Sequence, residues 1–299
     1  MTDTVSHQSP NVESISPSLN LGAIGAARST WLGPAWAALC GLIASAAFSF
    51  DAPNVLRAVL VLVLSDWAWP AVWLTCVRTN WVAPIARWRD VHAPPRAVHL
   101  PFLQPGSPGD RLVAWGARFG AWWRCEFAPK VGTSLSSALA ALVIAVMLSA
   151  VLGWRALALT LALLALTGIG TLRAARTGLD SDLLRASVYG VLPWWLGHAA
   201  FAPLSVESAG FGVIFGLAYR AVMQASPGSR APSAAGLAAP QIIAAIALFA
   251  GDQPSAAFAV VVTLVAQAAL HAFLVEHAFA RRAQVWLMAA MLICAAVIA

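Results

Sequence analysis

From about residue 28 onward, long apolar runs alternate with short polar interruptions. The runs are continuously apolar, without the every-second-residue alternation of a lipid-facing strand, so helices are predicted. Nine of them, bounded by Pro, Gly or charge, approach the roughly 20 residues a helix needs to cross the hydrocarbon layer. They cover residues 31–50, 54–77, 132–152, 155–172, 186–205, 208–222, 237–251, 255–276 and 283–299, the sixth and seventh being short. The pattern predicts an all-α polytopic membrane protein of about nine transmembrane helices spanning residues 28–299. Residues 1–27 are rich in Ser, Asn, Thr and Pro, contain no Lys or Arg, and are expected to form a disordered tail.

Composition strengthens this picture. The chain is 60% hydrophobic and 10% charged, with a mean hydropathy of +0.77, against roughly 25% charge in a soluble domain. A pI near 9.9 would suggest nucleic acid in a soluble protein. Here the basic residues fall at the ends of apolar runs, where they orient helices, and nucleic-acid binding is excluded. With the N-terminus cytoplasmic, sixteen of the eighteen Lys and Arg fall inside, and only Arg57 and Arg155 lie outside. The expected location is a bacterial-type cytoplasmic (inner) membrane. Eight of the sixteen lie in the segment 78–130, read as the main cytoplasmic loop. Within it, residues 109–127 place Leu112, Trp115, Phe119, Trp122 and Trp123 near one helical face, as an interfacial amphipathic helix does.

Small residues recur every four positions at Ala37, Gly41 and Ser45 and again at Ser208, Gly212 and Gly216. Such spacing lets helices approach closely, either within the bundle or across a dimer. Cys40, Cys76, Cys125 and Cys294 have no short mutual spacing and read as small packing residues.

Asp66 sits near the centre of the second run, and an intramembrane acid is costly enough to be a functional candidate. Trp69 and Trp73 share its face and are expected to offer indole N–H groups to the carboxylate. Pro70 frees a backbone carbonyl beside it. A buried Asp that holds helices together is the competing reading. Asp180 and Asp182 form the closely spaced acid pair of the chain. They suit either Mg²⁺ against a phosphorylated substrate or the N-cap of the fifth helix. His271, Glu276 and His277 lack the three- or four-residue spacing of ligands on one helical face, and His198 reads as a packing histidine. Arg87, Arg89 and Arg96 suit a phosphate, although orientation alone explains them. No phosphate-binding glycine loop, nucleophile elbow or HExxH is present.

The nine runs, the long basic second cytoplasmic loop and a further polar loop after the sixth run resemble the UbiA superfamily of intramembrane prenyltransferases. Leu192-Pro-Trp-Trp-Leu-Gly-His-Ala199 looks like a segment of its chlorophyll synthase branch, and Pro101-Phe-Leu-Gln-Pro-Gly106 is placed like another of its elements. The resemblance implies a UbiA-like bundle, an isoprenoid or pigment-like ligand, prenyl transfer and possible use of Mg²⁺. The family's two Asp-rich motifs depart here. The first position reads Arg78-Thr-Asn80 through Arg87-Trp-Arg89-Asp90, and the second, Met223 to Arg230, has no acid. Asn80, Arg87, Arg89 and Asp66 are therefore the expected head-group residues, and Asp180 and Asp182 the expected metal ligands.

Two other classes stay open. One is a non-catalytic membrane subunit or assembly factor that uses its fourteen Trp to hold pigments or partner helices. The other is a transporter with Asp66 as an ion or proton site, which needs a polar group on a facing helix.

Overall fold

The computed structural model describes residues 33–92, 104, 106–177, 181–224, 234–273 and 276–299. Every regular element among them is helical. In chain order these are α1 (Pro34–Ala44), α2 (Ala52–Arg78), the short α3 (Val82–Ala86), α4 (Pro108–Leu152) and α5 (Trp154–Thr177). Then follow α6 (residues 182–199), α7 (Val206–Gln224), α8 (Ala234–Ala250), α9 (Pro254–Phe273) and α10 (Glu276–Ile298). The expected tail at 1–27, Arg28, Arg96, Asp180 and the stretch 225–233 lie outside the described residues.

The nine apolar runs are helical over most of their described parts, but the first leaves the helix after Ala44 and the fifth after Ala199, so that 45–50 and 200–205 are non-helical chain. Four helices among the described residues, α2, α4, α5 and α9, are long and apolar enough to cross a membrane, so the protein is a membrane-associated helical bundle. The apolar helices Pro34–Ala44, Gly236–Ala250 and Arg282–Ile298 are shorter. At about 1.5 Å per residue, the eleven residues of α1 span roughly 16 Å, half a hydrocarbon layer.

Three helices pass through a single π-helical turn: Leu64–Ala68 in α2, Trp123–Phe127 in α4 and Ser187–Val191 in α6. Each turn is followed, two residues on, by proline: Pro70, Pro129 and Pro193. The proline lacks an N–H for the carbonyl four residues earlier and its ring crowds that turn. Widening by one residue relieves the clash, and the preceding N–H bonds five residues back, as Trp69 does to the Leu64 carbonyl.

The centre of the bundle is the pair α1 and α6, which also touches α2, α7 and α10. A Cβ on Gly41 would lie 1.9 Å from the Trp194 carbonyl oxygen, and one on Gly197 2.0 Å from that of Ala38. Only glycine permits that approach, and these weak driving forces of close packing are what lipid leaves available. The second small-residue series is used the same way. Ser208 accepts a bond from Trp194 Nε1 at 3.0 Å. Cβ atoms on Gly212 and Gly216 would meet Trp195 Nε1 at 2.8 Å and Val191 Cγ2 at 2.3 Å. Both series face neighbours within this chain.

On one side of the central pair, α2, α4 and α5 are joined by a buried polar contact. Trp69 Nε1 donates to Thr160 Oγ1 at 3.2 Å, and Thr160 lies 2.5 Å from Ser149 Oγ. On the other side, α7 to α10 pack in sequence, with Gln241, Thr263 and Gln267 bonded to one another in the interior. At the end near Asp51, that side chain accepts from the Asn54 N–H at 2.8 Å and caps α2. The Ser49 hydroxyl, then the Asn54 N–H, hold its carboxyl below the usual range. Arg57 reaches the Ala200 carbonyl at 3.3 Å and lies over the Phe201 ring.

The amphipathic stretch differs from its expected form as a separate surface element. It is the first third of α4, which runs unbroken for 45 residues from Pro108 to Leu152. No glycine or proline stop separates it from the third run, because Pro129 is absorbed by the π turn instead of ending the helix. The supposed loop ahead of it also holds α3, fixed to α4 by Trp122 Nε1 donating to the Pro84 carbonyl at 2.7 Å.

Candidate functional site

Two of the π turns bring chemistry to one place. Asp66 occupies the middle of the turn in α2, and Tyr189 the middle of the turn in α6. Asp66 is exposed in the bundle, and its Oδ1 would lie 3.6 Å from a Cβ on Gly33. The carboxylate thus faces the first turn of α1, whose unpaired N–H groups favour negative charge. From α7, the Tyr219 ring stacks on Tyr189 with centroids 6.3 Å apart and planes at 11°. From the first turn of α6, the Arg185 guanidinium lies 5.8 Å from the Tyr189 centroid, with its Nε enclosed and without a hydrogen-bond partner. Both π turns pack against α1, which places Asp66 and the Arg185, Tyr189 and Tyr219 cluster beside the same central helix.

The polar pit so outlined draws one acid from α2, one guanidinium and one phenol from α6 and a second phenol from α7. It offers acceptor and donor groups at the depth of mid-α2, the arrangement a polar or ionisable ligand group needs inside an apolar bundle. Arg185, Tyr189 and Tyr219 were not singled out from the sequence. A signal was present: these are the only two tyrosines of the chain, in a protein whose other aromatic residues are Trp and Phe.

The expected indole donors to Asp66 are elsewhere. Trp69 Nε1 bonds Thr160, because the π turn advances Trp69 around the helix away from Asp66. Trp73 is fully buried with its Nε1 unpaired, its ring edge against Gly170.

The remaining predicted residues are not gathered with Asp66. Asn80 Oδ1 accepts from the Ala83 N–H at 3.1 Å, at the start of α3. With Arg78, Asn80 borders a groove of about 300 Å³ against Thr171 and Ala174 of α5. Arg87 is paired with Glu126 at 3.2 Å, and Lys130 shares the same carboxylate. Arg89 is exposed on the far side of that turn. Asp182 opens α6, and Asp180 is outside the described residues. No three His, Cys, Asp or Glu side chains gather as a metal site among the described residues. Among the described residues Asp66 is the carboxylate of the pit, and a guanidinium and two phenols are the other polar groups there. That donor set does not fit Mg²⁺, which favours carboxylate and phosphate oxygens. His198 is buried with Nε2 3.0 Å from the Pro203 carbonyl. His271 ends α9, and the side chains of Glu276 and His277 lie outside the description.

A second feature lies on the opposite face of α6. A groove of about 450 Å³ runs between α5, α6 and α7, with Ala165, Leu166, Val191, Trp195, Val213 and Gly216 in its wall. Its lining is apolar except for Ser187.

No protein-family model matches this chain, and neither a curated protein nor a solved structure does.

Proposed function

We propose that this chain is a polytopic protein of a bacterial-type cytoplasmic membrane that binds an isoprenoid or similar lipid-like molecule. It crosses the membrane about nine times from a cytoplasmic N-terminus, in a bundle of UbiA type. The observation that carries the reading is the groove between α5, α6 and α7. Its volume of about 450 Å³ falls in the range of small-molecule sites. Its rim residues Leu183, Val213 and Leu217 are exposed, so an apolar chain enters sideways from lipid without crossing water. The convergence of α2, α6 and α7 on the Asp66 pit supports the same architecture, since these helices correspond to the second, fifth and sixth predicted runs.

The proposal is for binding. Prenyl transfer of the resembled kind uses paired carboxylates with Mg²⁺, and the described residues do not assemble them. The Asp66 pit also favours a second reading, transport, because Arg185 of α6 and Tyr219 of α7 supply polar groups on other helices of the bundle, which such a role requires.

Solvent extraction of the detergent-purified protein followed by mass spectrometry tests the binding reading. A polyisoprenoid is expected to travel with the wild type at near one per chain and to be lost from Ala165→Trp, which fills the exposed groove wall. Identical extracts from both proteins would sink the proposal.

A further inference from the structure

At the arginine-rich end, α3 and the first turns of α4 build a surface unlike the rest of the molecule. Trp88 contacts Trp115, Phe119 and Trp122 at centroid distances of 6.2, 6.2 and 5.6 Å. Trp115 and Phe119 stack at 5.6 Å. Against this aromatic block the Arg118 guanidinium lies 4.9 Å from the Trp88 centroid, and its Nη2 donates to the carbonyls of Trp88 and Arg89 at 2.7 and 3.0 Å. These bonds fix the plane of the guanidinium and leave Nη1 unused.

Beside it is a groove of about 480 Å³ bordered by Arg89, His92, Trp115 and Arg118. The side chains of Arg89 and His92 are exposed and form no hydrogen bond or ion pair among the described residues. Two of the three acids of the segment 78–130 are engaged elsewhere. Glu126 is occupied by Arg87 and Lys130, and Asp110 accepts from the Gly106 N–H at the start of α4. Asp90, exposed in the turn after Arg89, is the remaining carboxylate of the segment. Next to the charged groove an apolar row stays uncovered, with Leu112 70%, Trp115 59% and Phe119 40% exposed.

We propose that this groove holds the phosphate head group of an anionic phospholipid, taken from the leaflet on its own side of the membrane. Three observations point to a lipid in preference to another occupant. The Arg118 guanidinium is fixed by two carbonyls, and Arg89 and the His92 ring border the same groove, a donor set that suits a phosphate. The uncovered aromatic row adjoins it, as acyl chains next to a head group require. The helix carrying Arg118 and Trp115 continues into a membrane-crossing segment, which keeps the groove beside the bilayer. The site is separate from the groove between α5, α6 and α7, and it does not depend on an isoprenoid being bound there.

Native mass spectrometry of the full chain, titrated with phosphatidylglycerol, phosphatidylcholine or inorganic phosphate, tests the site. Wild type is expected to retain phosphatidylglycerol, and Arg89→Gln/Arg118→Gln to bind it about thirtyfold more weakly, at about 1 kcal/mol for each basic residue near a membrane surface. Arg89→Gln/His92→Gln removes side chains that bond nothing, so it is expected to fold normally and to show the same direction of change. Arg173→Gln/Arg176→Gln, with two charges removed elsewhere, is expected to match wild type. Equal retention by wild type and both groove variants overturns the site, and an equal loss in the control pair reduces it to general charge attraction. Inorganic phosphate displacing the lipid at equal concentration overturns the lipid assignment.

Discussion

Gln241 of α8 and Gln267 of α9 exchange two amide hydrogen bonds, Nε2 to Oε1 in each direction, at 2.8 and 3.0 Å. Both side chains are essentially fully buried, and the Thr263 hydroxyl adds a third bond to Gln241 Oε1. A reciprocal amide pair fixes the register of two otherwise apolar helices, since sliding either one leaves donors and acceptors unpaired in a medium without water.

Gln241→Leu is therefore expected to lower stability by about 1–2 kcal/mol, the cost of leaving Gln267 unpaired. Gln241→Leu/Gln267→Leu is expected to recover most of the loss, because neither polar group then remains. Unfolding in mixed detergent micelles measures both. A double variant as unstable as the sum of the single ones would show that the pair does not act as a unit.

Gly41→Leu brings a side chain into the Trp194 carbonyl and separates the central helices α1 and α6. The expected loss is about 3 kcal/mol or more, beyond ordinary overpacking because the obstacle is backbone. Gly168→Ala, whose Cβ would meet nothing within 4 Å, is expected to be neutral or slightly stabilising in its helix. Size-exclusion chromatography and thermal unfolding of the two variants compare them directly, and a well-folded Gly41→Leu protein would refute the packing described for α1.

The transport reading of Asp66 makes its own prediction. In proteoliposomes with an imposed pH gradient, wild type should collapse the gradient and Asp66→Asn should fall to the level of empty vesicles. Flux that the substitution leaves unchanged removes transport and leaves the pit as a polar packing contact.

Much of the architecture was legible in the hydrophobic pattern, because a run of apolar residues in lipid has no alternative to an internally bonded helix. The nine runs are largely helical where described, though the helices of the first and fifth end six residues early, and the two small-residue series did mark close approaches. Helix ends were less legible. The break assumed ahead of residue 132 does not exist, since Pro129 produces a π turn and α4 continues through it. Pro70 and Pro193 carried the same message at the same offset, and reading the three together would have placed Asp66 and Tyr189 in widened turns. The pit itself was only half visible. Asp66 stands out as a charge in an apolar run, whereas Tyr189, Tyr219 and Arg185 become partners only through the crossing of α6 and α7. The expected grouping of Asn80 and Arg87 failed to include a local competitor, Glu126, 39 residues from Arg87 in sequence and bonded to it in space.

The length of α4 has a mechanical consequence. Its 45 residues make a rod of about 67 Å, more than twice the hydrocarbon thickness, with Trp123–Phe127 as the natural pivot. The arm from that pivot to Pro108 is about 22 Å long, so a tilt of roughly 10° displaces its tip by about 4 Å. Rocking of the membrane-embedded part is thereby geared into movement of the Trp115 and Arg118 surface, and a lipid held there would act as a brake on the helix.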